Sequence, residues 1–257
     1  MQVIAFILSF VALLVWAESA RAQSAPKAQS KTFSVSVSFH KGLQRFPALP
    51  PLTKAEVRTI LKKASTMLQK PGHTSTDDND VACDVTLTLN GPLRTFTLPG
   101  GGVLNIQGVV DEDNIKAVHA VRSPQRADVH IKVVRAIHFC REGFSADASF
   151  AGCAFSPPDF RSMIVQHPAN HRGPDHLLWA HEFGHLTGLP HRDDGPEPSS
   201  LMTSCDIRGQ FFKVPDSRVK VNKAECSSLR AGPGVGAPFS ESKVKCRCGP
   251  GATNCPL

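Results

Sequence analysis

Short apolar segments along the chain predict a β-sheet. Residues 32–40 alternate apolar side chains with serines, which is the two-residue period of a strand with one buried face. Residues 84–89 alternate again, and residues 127–134 form an apolar run rich in β-branched side chains. Two further short strands are predicted at residues 150–155 and 161–166, separated by a Ser-Pro-Pro sequence. The expected architecture is a sheet with few helices.

Helical periodicity appears in a few places, each with a recognisable start. Thr53 and Glu56 fit a capping box, and apolar residues then repeat at helical spacing to about Gln69. An Asn and a Glu at the same spacing open a final helix over residues 222–229. We expect Asp175 to be the N-cap of a third helix, which contains the motif described below.

The N-terminus has the pattern of a secretion signal. Residues 3–16 are an apolar run, and small residues Ala20 and Ala22 follow at the positions that a signal peptidase inspects. An uncleaved anchor is the alternative, although the run is shorter than the roughly 20 residues of a membrane span. We therefore predict a signal peptide at residues 1–22, a secreted, periplasmic or extracellular location, and no stable membrane span after cleavage.

The cysteines support export. All eight follow residue 22, and an even count in an exported chain favours disulfides. Cys140 with Cys153 and Cys205 with Cys226 are the local pairings we expect, although spacing alone does not determine connectivity and unpaired core thiols are the alternative. The full set is Cys83, Cys140, Cys153, Cys205, Cys226, Cys246, Cys248 and Cys255.

Length and charge limit the organisation and the partners. The chain beyond residue 22 is long enough for one sizeable domain, which we place at residues 23–230, with a Gly/Pro/Cys-rich tail at residues 231–257. The formal net charge is +7, but the basic residues are scattered and lack interleaved aromatics. A solvated surface is favoured over adhesion to anionic polymers, no nucleic-acid partner is expected, and we predict a monomer.

Candidate chemistry is concentrated in one segment, which reads HExxHxxGxxH. On a helix, His181 and His185 lie one turn apart on the same face, so both rings can reach one ion at about 2.0–2.1 Å. Gly188 allows the chain to leave the helix sharply and to return His191 to that ion. Glu182 then projects beside the metal without binding it. Three ligands leave a position open, which favours a catalytic over a structural zinc site, and a metal-free helix carrying histidines is the remaining alternative.

A methionine follows this motif. Met202 lies in Ser-Leu-Met-Thr, eleven residues after His191. Together the two features resemble the zinc motif and Met-turn of the metzincin metallopeptidases. The resemblance implies a mixed α/β (α+β) zincin fold from about residue 31 to 230, with a twisted, mostly parallel sheet, an active-site helix and a C-terminal helix. The chain has no tyrosine, which favours a matrixin-like or adamalysin-like site, whereas Arg192 departs from the better-known subfamilies and leaves the subfamily unassigned.

The resemblance also implies a binding site for substrate. In the family an extended peptide lies against an edge strand upstream of the zinc helix, and Gly152, Cys153 and Ala154 are in the segment that fits this role. The alternative is that Gly152 marks only a β-bulge.

We therefore predict a secreted endopeptidase with one catalytic Zn²⁺, acting on proteins or peptides. It would hydrolyse peptide bonds through a zinc-activated water, with Glu182 as general base and then general acid. The alternatives are an exported, non-catalytic binding or adhesion protein that uses zinc for stability, and a hydrolase of non-peptide amides. Calcium is a further option at the acidic residues 111–114 and 193–194, although neither fits a known loop pattern and solvated acidic loops are favoured.

Overall fold

A computed structural model shows a mixed α/β fold built on a mostly parallel sheet, as expected. It describes residues 30–75, 77–98, 107–123, 125–140, 143–144, 150–154, 161–170, 174–192, 200–203 and 215–234. The predicted signal peptide, most of the predicted tail, the acidic pair at residues 193–194 and Cys205 lie outside these residues.

The described residues form ten strands, four α-helices and three 3₁₀ helices. In chain order they are β1 (Lys31–His40), a 3₁₀ helix (Lys41–Arg45), α1 (Lys54–Gln69), β2 (Val85–Leu89), β3 (Arg94–Phe96), β4 (Val109–Val110), α2 (Ile115–Ala120), β5 (Val129–Val134), β6 (Ala136–Ile137), β7 (Phe139–Cys140), β8 (Gly143–Phe144), β9 (Gly152–Ala154), β10 (Ser162–Gln166), a 3₁₀ helix (Pro168–Asn170), α3 (Asp175–Leu186), a 3₁₀ helix (Asp216–Arg218) and α4 (Lys223–Ala231).

The main sheet has the strand order β2-β1-β5-β10-β9, and β3 pairs with the other end of β1. Strands β1, β2, β3, β5 and β10 run parallel, whereas β9 pairs antiparallel with β10 and is the terminal strand. Two small sheets, β4-β6 and β7-β8, complete the described strands. The predicted alternation in β1 is confirmed, since its apolar side chains are buried in the main core.

Alternation along the strands separates two apolar cores. In β5, Val129, Ile131 and Val133 belong to the larger core, which also includes residues from α1, α3 and α4. Val134 and, in β10, Ile164 belong to a smaller core on the opposite face with residues of α2. The sheet thus separates helices α1, α3 and α4 from α2. None of the described helices is long and apolar enough to cross a bilayer.

The predicted helix starts are correct in two places and wrong in one. Capping boxes open α1 at Thr53 and α4 at Asn222, as expected. Asp175, however, is the first residue of α3 and not its N-cap. Pro174 occupies the cap position in an extended conformation and provides no side-chain hydrogen bond. The carboxylate of Asp175 remains in the first turn, where the helix dipole favours negative charge.

The disulfides confirm one expected pairing and correct the other. Cys140 pairs with Cys153, which joins β7 to β9. Cys226, expected to pair with Cys205, instead bonds Cys83, 143 residues away in sequence. The fold brings the start of β2 against α4, so the partner of Cys226 is set by tertiary packing and not by local spacing.

Removal of the Cys83–Cys226 link by the double substitution Cys83→Ala and Cys226→Ala should lower the free energy of unfolding by about 2–5 kcal/mol, because the bond closes a long loop in the unfolded chain. The double substitution Cys140→Ala and Cys153→Ala opens a much shorter loop and should cost less. Urea unfolding of both variants measures the difference. If the two variants lost the same free energy of unfolding, or if the Cys140–Cys153 variant lost more, the proposed role of the longer link would be contradicted.

Candidate metal centre

Helix α3 carries the motif and is buried on nearly every side. Leu177, Trp179 and Phe183 are fully enclosed, and the ring of Phe183 lies 5.3 Å from that of Phe33 in β1, measured between centroids. A helix with apolar residues around its whole circumference is typical of a core element. Its position relative to the sheet is therefore set by close packing before any ligand is considered.

The three motif histidines meet at one point. The Nε2 atom of His185 lies 3.1 Å from that of His181 and 3.0 Å from that of His191. His181 and His185 are one turn apart on α3, and Gly188 has a φ of 86°, which lets the chain turn back after the helix. Within the described residues, no other group of three His, Cys, Asp or Glu side chains has metal-site geometry.

Backbone carbonyls orient two of these rings. The Nδ1 atom of His181 lies 2.7 Å from the carbonyl oxygen of Leu201, and Nδ1 of His185 lies 2.8 Å from that of Leu189. A carbonyl only accepts, so Nδ1 carries a proton in both rings, and in the neutral form of each ring Nε2 is the nitrogen that can bind a metal. This is the usual outer-shell arrangement around a histidine that binds a metal.

These residues fit a zinc ion. Two nitrogens that each lie about 2.0–2.1 Å from a tetrahedral ion are roughly 3.3 Å apart, close to the separations seen here. Two unprotonated Nε2 atoms at this distance cannot hydrogen bond to each other, whereas a shared cation would satisfy both. Burial, together with electrostatic repulsion from the neighbouring imidazoles, holds the pKa of His185 well below its usual value. The ring is therefore neutral, which is the form that binds metal.

Met202 packs against α3 within the histidine motif. The turn of residues 200–203, here called the Met-turn, is buried, and its Leu201 carbonyl accepts the hydrogen bond from His181. Gly184 of α3 faces Met202 so closely that a Cβ at position 184 would overlap the sulfur. Contact with the Met-turn thus requires a glycine at this position inside the HExxH segment. The sequence alone did not indicate this role of Gly184.

Arg192 joins three parts of the site. Its backbone N–H donates to the Met202 carbonyl at 2.7 Å, and its Nε lies 3.4 Å from Oε1 of Glu225 in α4. The other oxygen of Glu225 accepts from the backbone N–H of Asn222 in the capping box. The residue that departs from the better-known subfamilies therefore fixes the segment that carries His191 against the Met-turn and α4. The sequence indicated only the capping role of Glu225.

Glu182 is 4% exposed and lies beside the histidines, over the edge strand β9. A Cβ at Gly152 would overlap the carboxyl group of Glu182. Gly152 also pairs in regular register with Val165 of β10, so it does not mark a bulge. It provides room for the Glu182 side chain instead.

The rest of the predicted substrate strand has a different environment. Cys153 is buried in the smaller core, while Ala154 packs against the larger one. Because β9 is the terminal strand of the sheet, one of its edges has no partner strand among the described residues. The acidic segment 111–114 forms a turn before α2, where Asp111 and Asn114 exchange hydrogen bonds.

Comparison with known proteins agrees with the fold. The chain matches no protein-family model and no curated protein sequence. Its structure is similar to that of mature mirolysin of Tannerella forsythia, a metzincin metallopeptidase solved in complex with a cleaved peptide. The TM-score is 0.51 at 9% sequence identity, and the match covers 81% of this chain and 95% of the mirolysin chain. At this identity the similarity shows the fold, and the expected metzincin-like architecture is confirmed.

Gly184→Ala should destabilise the protein by about 1–3 kcal/mol, because the new methyl group would overlap the buried Met202 side chain. In a Met202→Ala background the same substitution should cost less than about 0.5 kcal/mol, since the conflicting side chain is gone. Chemical unfolding of the four proteins in this cycle gives the coupling energy. If the losses in free energy of unfolding of the two single variants simply added in the double variant, the two residues would not compete for space.

Proposed function

We propose that the protein is a secreted, zinc-dependent endopeptidase. The observation that carries this proposal is the convergence of three imidazole Nε2 atoms beside a buried carboxylate that itself lies against a terminal strand. The similarity to a fold whose solved example holds a cleaved peptide supports a peptide substrate. Two disulfides support an oxidising compartment.

His181, His185 and His191 would hold the ion. Zinc in such a site supplies a Lewis acid that polarises a carbonyl and makes water more acidic. The carbonyls of Leu201 and Leu189 hold the rings of His181 and His185 with Nε2 aimed inward, while burial is the main cause that lowers the pKa of His185 and keeps that ring neutral. These contacts are formed before substrate binds, so the site does not need to reorganise during the reaction.

Glu182 is the group that moves the proton. Its carboxylate would accept a proton from the attacking water and return it to the leaving amine. Gly152 determines how close this carboxylate lies to β9, because any larger residue would displace it. The chain has no tyrosine, so no phenol group of this protein stabilises the oxyanion.

The edge of β9 that has no partner strand among the described residues, here called the free edge, would bind the substrate. An extended peptide can add to such an edge through main-chain hydrogen bonds, which leaves the sequence of the peptide largely free. Because Glu182 contacts β9, a peptide on that edge would lie near the carboxylate. The disulfide from Cys153 to Cys140 stabilises the strand from the opposite side of the sheet.

Glu182→Gln should keep one zinc per chain but lower the rate of peptide hydrolysis by about 10²–10⁴-fold, because the amide cannot take up a proton. Cleavage of an unfolded protein substrate, with zinc measured in the same samples, tests this. Glu112→Gln removes an exposed carboxylate before α2 and should leave the rate unchanged.

The same assay separates the alternative functions. Zinc retained by the wild-type protein without hydrolysis of any peptide would reject the peptidase and favour a zinc-stabilised binding protein. Hydrolysis limited to small non-peptide amides would favour an amidohydrolase.

Gly152→Ala should lower kcat by about 10- to 100-fold while leaving KM for a peptide within about twofold, since a small displacement of a catalytic group is costly and the added methyl faces Glu182 and not the free edge. Steady-state kinetics on one defined peptide gives both constants. An increase in KM with unchanged kcat would contradict the assigned role of Gly152.

A further inference from the structure

A cavity opens on the sheet face opposite α3, where the parallel strands β1, β5 and β10 begin. Its volume is about 820 Å³, within the range of small-molecule sites. Neither α3 nor the Met-turn contributes a residue to its lining. Among the lining residues are Ser34, His119, Arg122, Asp128, Arg161 and Ser162.

The base of this cavity includes His130 and Ser162, which belong to a polar row across three strands. Ser36 of β1, His130 of β5 and Ser162 of β10 are register neighbours, so their side chains lie on one face. The hydroxyl of Ser36 is 2.5 Å from Nδ1 of His130, and the hydroxyl of Ser162 is 2.8 Å from Nδ1 of His119 in α2. Further along the same face lie both apolar and polar buried side chains, such as Ile164, Lys132 and Gln166. The cavity lies at the end of this face where β5 and β10 begin.

These imidazoles are neutral hydrogen-bonding groups. Burial is the main cause that lowers the pKa of His119 to about 3, and it also lowers the pKa of His130. Lys132, buried on the same face, donates from Nζ to the backbone carbonyls of Val118 and His119. This contact fixes the end of α2, and with it the position of His119.

The mouth of the cavity is strongly basic. Arg122, Arg126 and Arg161 line it with exposed side chains, and none of the three forms an ion pair within the described residues. Asp128 is the one acidic lining residue, and its Oδ2 atom accepts hydrogen bonds from the backbone and the hydroxyl of Ser34, each at 2.8 Å. The lining thus contains three guanidinium groups and one carboxylate. Although burial alone would raise the pKa of Asp128, its hydrogen bonds from Ser34 and its attraction to Arg161 help to lower that pKa.

We propose that this cavity binds a small molecule carrying phosphate or carboxylate groups. The planar guanidinium group of arginine can donate two parallel hydrogen bonds to either kind of oxyanion. Such hydrogen bonds between charged groups are stronger than those between neutral groups. The hydroxyls and imidazoles of the base would bind the polar remainder of the ligand. Because the cavity lies on the other face of the sheet, this ligand would not occupy the histidine site, and the proposal does not depend on peptidase activity.

Calorimetric titration of the zinc-loaded protein with inorganic phosphate and, separately, with succinate tests the proposal at about 0.15 M salt. We expect saturable binding of one ion per chain for at least one of the two anions. Arg161→Gln and Arg122→Gln should each weaken that binding about tenfold or more. Arg58→Gln removes an exposed arginine on α1, which packs on the opposite face of the sheet, and should leave it unchanged.

The two anions distinguish the ligand chemistries. Binding of phosphate alone assigns a phosphate ligand, and binding of succinate alone assigns a carboxylate. Absence of saturable binding for both would overturn the proposal. Binding that survives both cavity substitutions would place the anion elsewhere, for example at the metal, and would overturn it as well. If Arg58→Gln weakened anion binding as much as the cavity substitutions do, general charge attraction would explain the binding, and the proposal would be overturned. Melting temperatures close to wild type show that each variant is folded.

Discussion

The close packing of α3 is the constraint on which the other features of the site depend. Three successive residues of this helix each contact a different part of the fold: Glu182 lies over Gly152 of β9, Phe183 packs against Phe33 of β1, and Gly184 contacts the Met-turn. The contacts at Gly152 and Gly184 leave no room for an additional methyl group. The histidines before and after this trio therefore have fixed directions, and their convergence follows from packing that exists without the metal.

Much of this arrangement could be predicted from the sequence because it depends on local rules. Two capping boxes, the alternation of β1 and the spacing of the zinc motif all depend on residues a few positions apart, where backbone geometry is nearly constant. The segment order of a metzincin then followed from the motif and Met202. The short strand β9 lies within the strand predicted at residues 150–155, whereas the other strands of two or three residues (β3, β4, β6, β7 and β8) were missed because they are too short for any period to appear.

Contacts between distant segments could not be predicted in the same way. Nothing in the spacing of the cysteines connects Cys83 with Cys226, and only the fold brings them together. The glycines at positions 152 and 184 are visible in the sequence, but the side chains that fill the space beside them are not. Arg192 appeared only as a departure from a family, whereas its contacts with Glu225 and the Met-turn show how it holds the last ligand segment. Each of these cases requires tertiary packing to be known.

The central claim is that three imidazoles of one buried helix and its following turn form the protein part of a zinc site. X-ray absorption at the zinc edge of the metal-loaded protein tests this most directly, because it counts ligand types and their distances. The account predicts three imidazole nitrogens at about 2.0–2.1 Å, from His181, His185 and His191, with an oxygen completing the shell. A sulfur ligand near 2.3 Å, or fewer than three imidazoles, would contradict it.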